Sequence, residues 1–118
     1  MKYTEFKVGD KEYKLRLGSM KMINIEKKIG GNILEVFMKE NKIPTMEELL
    51  LVLHGSLVRF NSGISLNDTY ALYDDYTDEG GTFEDLIELI MDVFEVSGFF
   101  KKEQLGEEKA KLKEAKKK

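Results

Sequence analysis

Five consecutive apolar residues, Leu49-Leu50-Leu51-Val52-Leu53, lie inside a segment that otherwise reads as helix. Thr45 opens that segment and Glu48 follows three residues later, the spacing of a capping box. A helix that is apolar nearly all round has no face to give to water and has to be enclosed. The rest of the chain is therefore expected to wrap around residues 46–60. Gly55 within this helix is either a tolerated interruption or a point of close approach for a neighbour. With 118 residues and 42% apolar side chains, the chain is long enough for one domain and one core without staples. There is no cysteine, so neither a disulfide framework nor thiol chemistry is open to it.

On either side of this helix the hydrophobic period differs. Tyr3 to Val8 and Glu12 to Leu17 alternate apolar and polar side chains, the period-two pattern of strands. Gly9-Asp10-Lys11 separates them, so residues 3–17 read as a β-hairpin with one apolar face. An isolated hairpin is marginal, and that face has to rest on helices or on another chain's strands. From Ser19 the period becomes helical. Ser19 is expected to cap a helix over 20–29 carrying Met20, Met22, Ile23, Ile25 and Ile29, which Gly30-Gly31 ends. Asn32 caps a short helix over 33–40. Ser65 with Asp68, and Thr82 with Asp85, begin helices over 66–79 and 83–97. The first of these carries Leu66, Tyr70, Tyr73 and Tyr76 at three- and four-residue steps. The second has a stripe of Phe83, Leu86, Ile87, Ile90, Met91 and Phe94, with Leu89, Val93 and Val96 off it. The expected fold is α+β and mainly α: an N-terminal β-hairpin, about five helices making a domain over 1–100, and a charged, flexible or transiently helical tail over 101–118.

Charge is strongly segregated. From Phe60 to Phe100 there is no Lys, Arg or His, but there are ten carboxylates. From Lys101 onward eight lysines face four glutamates. An acidic body is unsuited to phosphate backbones, so nucleic acid is not an expected partner. Carboxylates such as Asp74, Asp75 and Asp78 either keep a helix face wet or dock a basic segment. No apolar stretch reaches the length of a membrane span, and no basic-then-apolar leader opens the chain. A cytoplasmic location is the expectation.

Each candidate for chemistry fails at a named residue. His54 is the only histidine, stands in the apolar helix and has no Cys or second His to complete a zinc set. Gly30-Gly31 and Gly80-Gly81 are not followed by the Lys-Ser/Thr of a phosphate loop. Reading Asp75 as the first position of a calcium loop puts Gly80 at its glycine position but Leu86 where a glutamate is required. No catalytic residue, metal or cofactor is expected. The surplus apolar side chains Leu89, Val93, Val96, Phe99 and Phe100, with Asp74, Asp75 and Asp78, are the candidate protein-binding residues.

The order of segments resembles the tail assembly chaperones of long-tailed bacteriophages and prophages of Gram-positive bacteria. The resemblance runs from Gly9-Asp10-Lys11-Glu12-Tyr13-Lys14-Leu15-Arg16-Leu17 through Ile25-Glu26-Lys27-Lys28-Ile29-Gly30 and Gly63-Ile64-Ser65-Leu66-Asn67-Asp68. It continues in Tyr70-Ala71-Leu72-Tyr73-Asp74-Asp75-Tyr76 and Glu79-Gly80-Gly81, and closes in Val93-Phe94-Glu95-Val96-Ser97-Gly98-Phe99-Phe100. It implies a non-enzymatic protein, present in the cytoplasm of the bacterial host and absent from the mature virion. Its client would be the tape measure protein, kept soluble while the tail tube forms. The chain would be the short form. A longer product of ribosomal frameshifting, for which Lys116-Lys117-Lys118 suggest an A-rich coding run, would bring in the tail tube protein. A coding sequence without a slip site there removes that expectation. Self-association is expected through the hairpin edge or the last helix. A small structural tail or head-completion protein of the virion is the rival expectation.

Overall fold

The structure, a computed structural model, describes residues 2–39 and 42–100. Two strands, β1 (Thr4–Val8) and β2 (Lys11–Leu15), precede five helices: α1 (Ser19–Ile29), α2 (Ile33–Met38), α3 (Met46–Leu57), α4 (Leu66–Asp78) and α5 (Phe83–Val96). The fold is α+β and mainly α, as its hydrophobic periods require. The charged segment 101–118 lies outside the described residues.

The enclosed helix is α3. Leu49, Leu50, Leu51, Val52, Leu53 and Leu57 are all buried, and α1, α4, α5 and β2 pack around them. Its start is the expected box: Thr45 accepts from the Glu48 N–H while Glu48 accepts from the Thr45 N–H. Gly55 is a point of close approach. A Cβ there would stand 2.8 Å from Ile25 Cδ1 of α1 and 3.1 Å from Leu17 Cδ1. Only a bare backbone lets both side chains seat against α3.

The hairpin is antiparallel, with Phe6 opposite Tyr13 and Val8 opposite Lys11 across a two-residue turn. Gly9 takes φ 59°, the left-handed conformation such a turn demands. Phe6, Val8, Leu15 and Leu17 point into the core, so the hairpin face rests on the chain's own helices. The two residues after β2 fasten it. Arg16 donates its N–H to the Ser56 carbonyl at the end of α3, and its Nη1 reaches both the Lys2 and Val96 carbonyls at 2.8 Å. Leu17 donates its N–H to Ser97 Oγ at 3.0 Å. One short stretch thus ties the start of β1 to the ends of α3 and α5.

Several expectations need correction. Ser19 is the first residue of α1 rather than its cap; Gly18 occupies that place and offers no side-chain acceptor. The helix begins one residue early, its first bond running from the Met22 N–H to the Gly18 carbonyl. Met20 and Ile23 are 72% and 52% exposed, since α1 meets Gly55 through Ile25 and the stem of Lys21 and buries Met22 and Ile25. Helix α3 stops at Leu57, where Phe60, Asn61 and the Asn61 side chain all donate to the Leu57 carbonyl and close a turn. Helix α2 stops at Met38 because Lys39 is extended. In α4 the buried positions are Thr69 and Leu72, while Tyr70 faces outward.

Candidate functional site

The acidic helices meet the hairpin along a groove. Residues Glu5, Phe6 and Lys7 of β1 form one bank, and Asp85, Glu88, Leu89 and Asp92 of α5 form the other. Positions 85, 88, 89 and 92 recur at three- and four-residue steps, so they share one helix face. Tyr76 of α4 closes the groove beside Phe6, their rings 5.1 Å apart. The backbone behind Tyr76 is built for it: a Cβ on Gly81 would fall 2.4 Å from the ring. Helix α4 ends with Gly80 at φ 103° and with the Gly81 N–H on the Tyr76 carbonyl, which brings Gly81 under the ring.

The groove is electronegative. It is lined by four carboxylates, those of Glu5, Asp85, Glu88 and Asp92, and by one ammonium group, that of Lys7. Burial pushes the Tyr76 phenol above its ordinary pKa, and the charges of Asp85, Tyr73 and Glu88 push it further. Tyr73 is raised by burial and then by Glu84 and Asp74. Asp85 also has a backbone duty, since its carboxylate accepts from the Thr82 N–H in the box that starts α5.

A second groove, between α1 and α3, has the opposite sign. Lys21, Lys27 and Lys28 border it above Ile25, Leu51 and Gly55. His54 faces this groove, with Nε2 2.9 Å from the Ile64 carbonyl. At the open end of the hairpin Tyr3 and Phe60 meet edge to face at 5.9 Å. Lys14 Nζ lies 4.9 Å from the Tyr3 ring centre. Among the described residues no three His, Asp or Glu side chains converge as a metal-binding set, and no helix is long and apolar enough to cross a membrane.

The residues expected at protein contacts do not form one surface. Val93 is 0% exposed and belongs to the core, because α5 packs against both α3 and β1 and so buries a wider arc than its main stripe. Leu89 is half-buried in the acidic groove. Val96 is half-buried, with its carbonyl taken by Arg16. Phe99 and Phe100 turn back at Gly98, φ 88°, and set their rings edge-on to Phe94 at 6.2 and 6.0 Å. They complete the core's rim rather than projecting from it. Asp74, Asp75 and Asp78 are exposed on α4. Of the groove residues the sequence pattern singled out only Leu89; it missed the Tyr76–Gly81 seat, the Glu5–Lys7 edge and the carboxylates of Asp85, Glu88 and Asp92 as a binding face. The available signal for the seat was the glycine pair following a tyrosine.

Fold and site together define a small, mainly helical α+β domain whose surface carries grooves of opposite charge. The chain belongs to DUF6096, a family of unknown function, over residues 2–117. No curated protein and no solved structure matches it.

Proposed function

We propose that this protein is a non-enzymatic tail assembly chaperone of a long-tailed phage or prophage, in its short form. It binds the tape measure protein and keeps that client soluble while tail tube subunits assemble. The observation that carries the reading is that α4 and α5 contain no Lys, Arg or His and that α5 forms an acidic groove with β1. A long helical client exposes amphipathic faces before assembly, and recessed, partly apolar surfaces with charged rims suit such faces. The segment order that resembles these chaperones ends in α5 and the Phe99–Phe100 turn, both integral to the folded body. The exposed carboxylates Asp74, Asp75 and Asp78 are the docking charges on this reading. Recruitment of the tail tube protein falls to a frameshifted long form.

Co-expression with the tape measure protein of the same phage or prophage tests this. The client is expected in the soluble fraction with the chaperone and in inclusion bodies without it. The Asp74→Lys/Asp75→Lys/Asp78→Lys variant is expected to retain less client. A client equally soluble with and without the protein refutes the reading. So does detection of the protein by mass spectrometry at stoichiometric levels in finished particles, which favours a structural tail or head-completion component.

A further inference from the structure

The outer edge of β1 opens onto the acidic groove. In a two-residue hairpin the closing pair, Val8 and Lys11, exchanges both its hydrogen bonds, and the same parity applies to Phe6–Tyr13 and Thr4–Leu15. Glu5 and Lys7 therefore aim their N–H and C=O groups away from β2. They are the two exposed β1 residues that line the groove. The sheet has two strands, and among the described residues no backbone bond joins β1 to a third element. An open strand edge of this kind takes up another segment through main-chain hydrogen bonds, with specificity set by the side chains along it.

We infer that the lysine-rich segment 101–118 of the same chain docks along this groove, against the edge of β1 and the carboxylates of Glu5 and Glu88. Charge complementarity is the first argument: eight lysines against four glutamates in the segment, four carboxylates against one lysine in the groove. Position is the second. Arg16 Nη1 holds the Lys2 and Val96 carbonyls together, so the chain leaves α5 at the end of the groove where β1 begins. Phe99 and Phe100 then turn back onto Phe94, on the side of α5 away from the groove, so the segment has to cross the end of α5 to reach it. Length is the third. Strand β1 has five residues and spans about 17 Å. Eighteen residues follow Phe100, reaching up to about 60 Å when extended. A second copy of the chain is the poorer occupant, because it brings another acidic α5 to the same groove. The inference does not depend on the chaperone reading.

The chain has no cysteine, so a single introduced thiol places one label. The experiment is a nitroxide on Ala110→Cys in the full chain, read by amide broadening. At about 0.1 M salt the amide signals of residues 5–7 and 88–92 are expected to lose at least half their intensity. At about 1 M salt, where the Debye length falls to about 3 Å, the signals are expected to recover. Glu5→Lys/Glu88→Lys in the labelled chain is expected to restore them at low salt, with the rest of the spectrum unchanged. No selective broadening overturns the inference, as does broadening confined to Asp74, Asp75 and Asp78. Mixing labelled chain with isotopically enriched, unlabelled chain separates the occupants: broadening of equal strength in that mixture means a second copy, and also overturns it.

Discussion

Gly80 and Gly81 are adjacent, and replacing each with alanine is expected to destabilise the domain for a different reason. Gly80 has φ 103° and open space where a Cβ would go, so Gly80→Ala meets backbone strain alone, about 1–2 kcal/mol. Gly81 has ordinary backbone, but its Cβ would lie 2.4–2.6 Å from three atoms of the Tyr76 ring. Carbon atoms pack at about 3.5 Å or more, so the ring has to retreat by about 1 Å. Phe6 at 5.1 Å and Tyr73 at 6.4 Å stand around it. Displacing a packed group in this way costs about 1–3 kcal/mol. A loss of 1 kcal/mol lowers Tm by about 4 °C in a domain of this size. Single substitutions therefore look alike, and only a double-mutant cycle tells them apart.

The cycle uses Tyr76→Ala. Tyr76 is half-buried, so losing its ring costs less than the about 3–5 kcal/mol of an enclosed aromatic and leaves a folded reference. In that background Gly81→Ala is expected to become neutral within about 0.5 kcal/mol, or to stabilise slightly by stiffening the unfolded chain. Gly80→Ala keeps its full penalty. Urea unfolding, with m-values checked for constancy, reads all six proteins. Equal penalties for Gly81→Ala with and without the Tyr76 ring refute the seat described above. Relief of the Gly80→Ala penalty refutes the assignment of that cost to backbone strain.

Phe94 is fully enclosed and touches Phe37, Phe99 and Phe100 edge-on, so Phe94→Ala is expected to cost about 3–5 kcal/mol in urea unfolding; a midpoint near wild type means the rings do not close the core there. The backbone and side-chain hydrogen bonds of Ser65 hold Asp68 below the ordinary carboxylate pKa. Its contribution is therefore complete above about pH 4 and fades as pH falls through the lowered folded value. Ser65→Ala is expected to cost about 1 kcal/mol at neutral pH. It also moves the Asp68 titration upward by NMR, but only in part, because the backbone N–H of residue 65 still donates to the carboxylate; an unmoved titration assigns the whole depression to that N–H.

What was legible in the residues is what is decided locally. Thr45 with Glu48, Ser65 with Asp68 and Thr82 with Asp85 each satisfy backbone groups within one turn, and all three boxes form where the spacing puts them. The enclosure of α3 was equally legible, since no helix with that composition has a wet face. Apart from helix ends that were off by one to three residues, what failed depended on contacts between distant parts of the chain. Which face of α1 is buried is decided by where Gly55 stands in space, so Met20 and Ile23 read as core and are exposed. Val93 read as surplus because a helical wheel shows one stripe, whereas α5 is packed from two sides. The groove joins residues 5–7 to residues 85–92, and no period or spacing links segments eighty residues apart.

The same distinction changes what the acidic run means. As sequence, the ten carboxylates between Phe60 and Phe100 look interchangeable. In the fold, Asp68 and Asp85 each accept a backbone N–H at a helix start, so part of their negative charge is already used on the chain itself. Reversing either one would loosen α4 or α5 and report on stability, whatever the surface binds. Asp74, Asp75 and Asp78 lie beyond the first turn of α4, exposed, where reversal leaves the helix start intact. The α4 C-terminus even gains from a positive side chain, which opposes the helix dipole's negative end. Loss of binding in that triple variant is therefore a docking effect, and the acids that probe the surface are fewer than the charge run suggests.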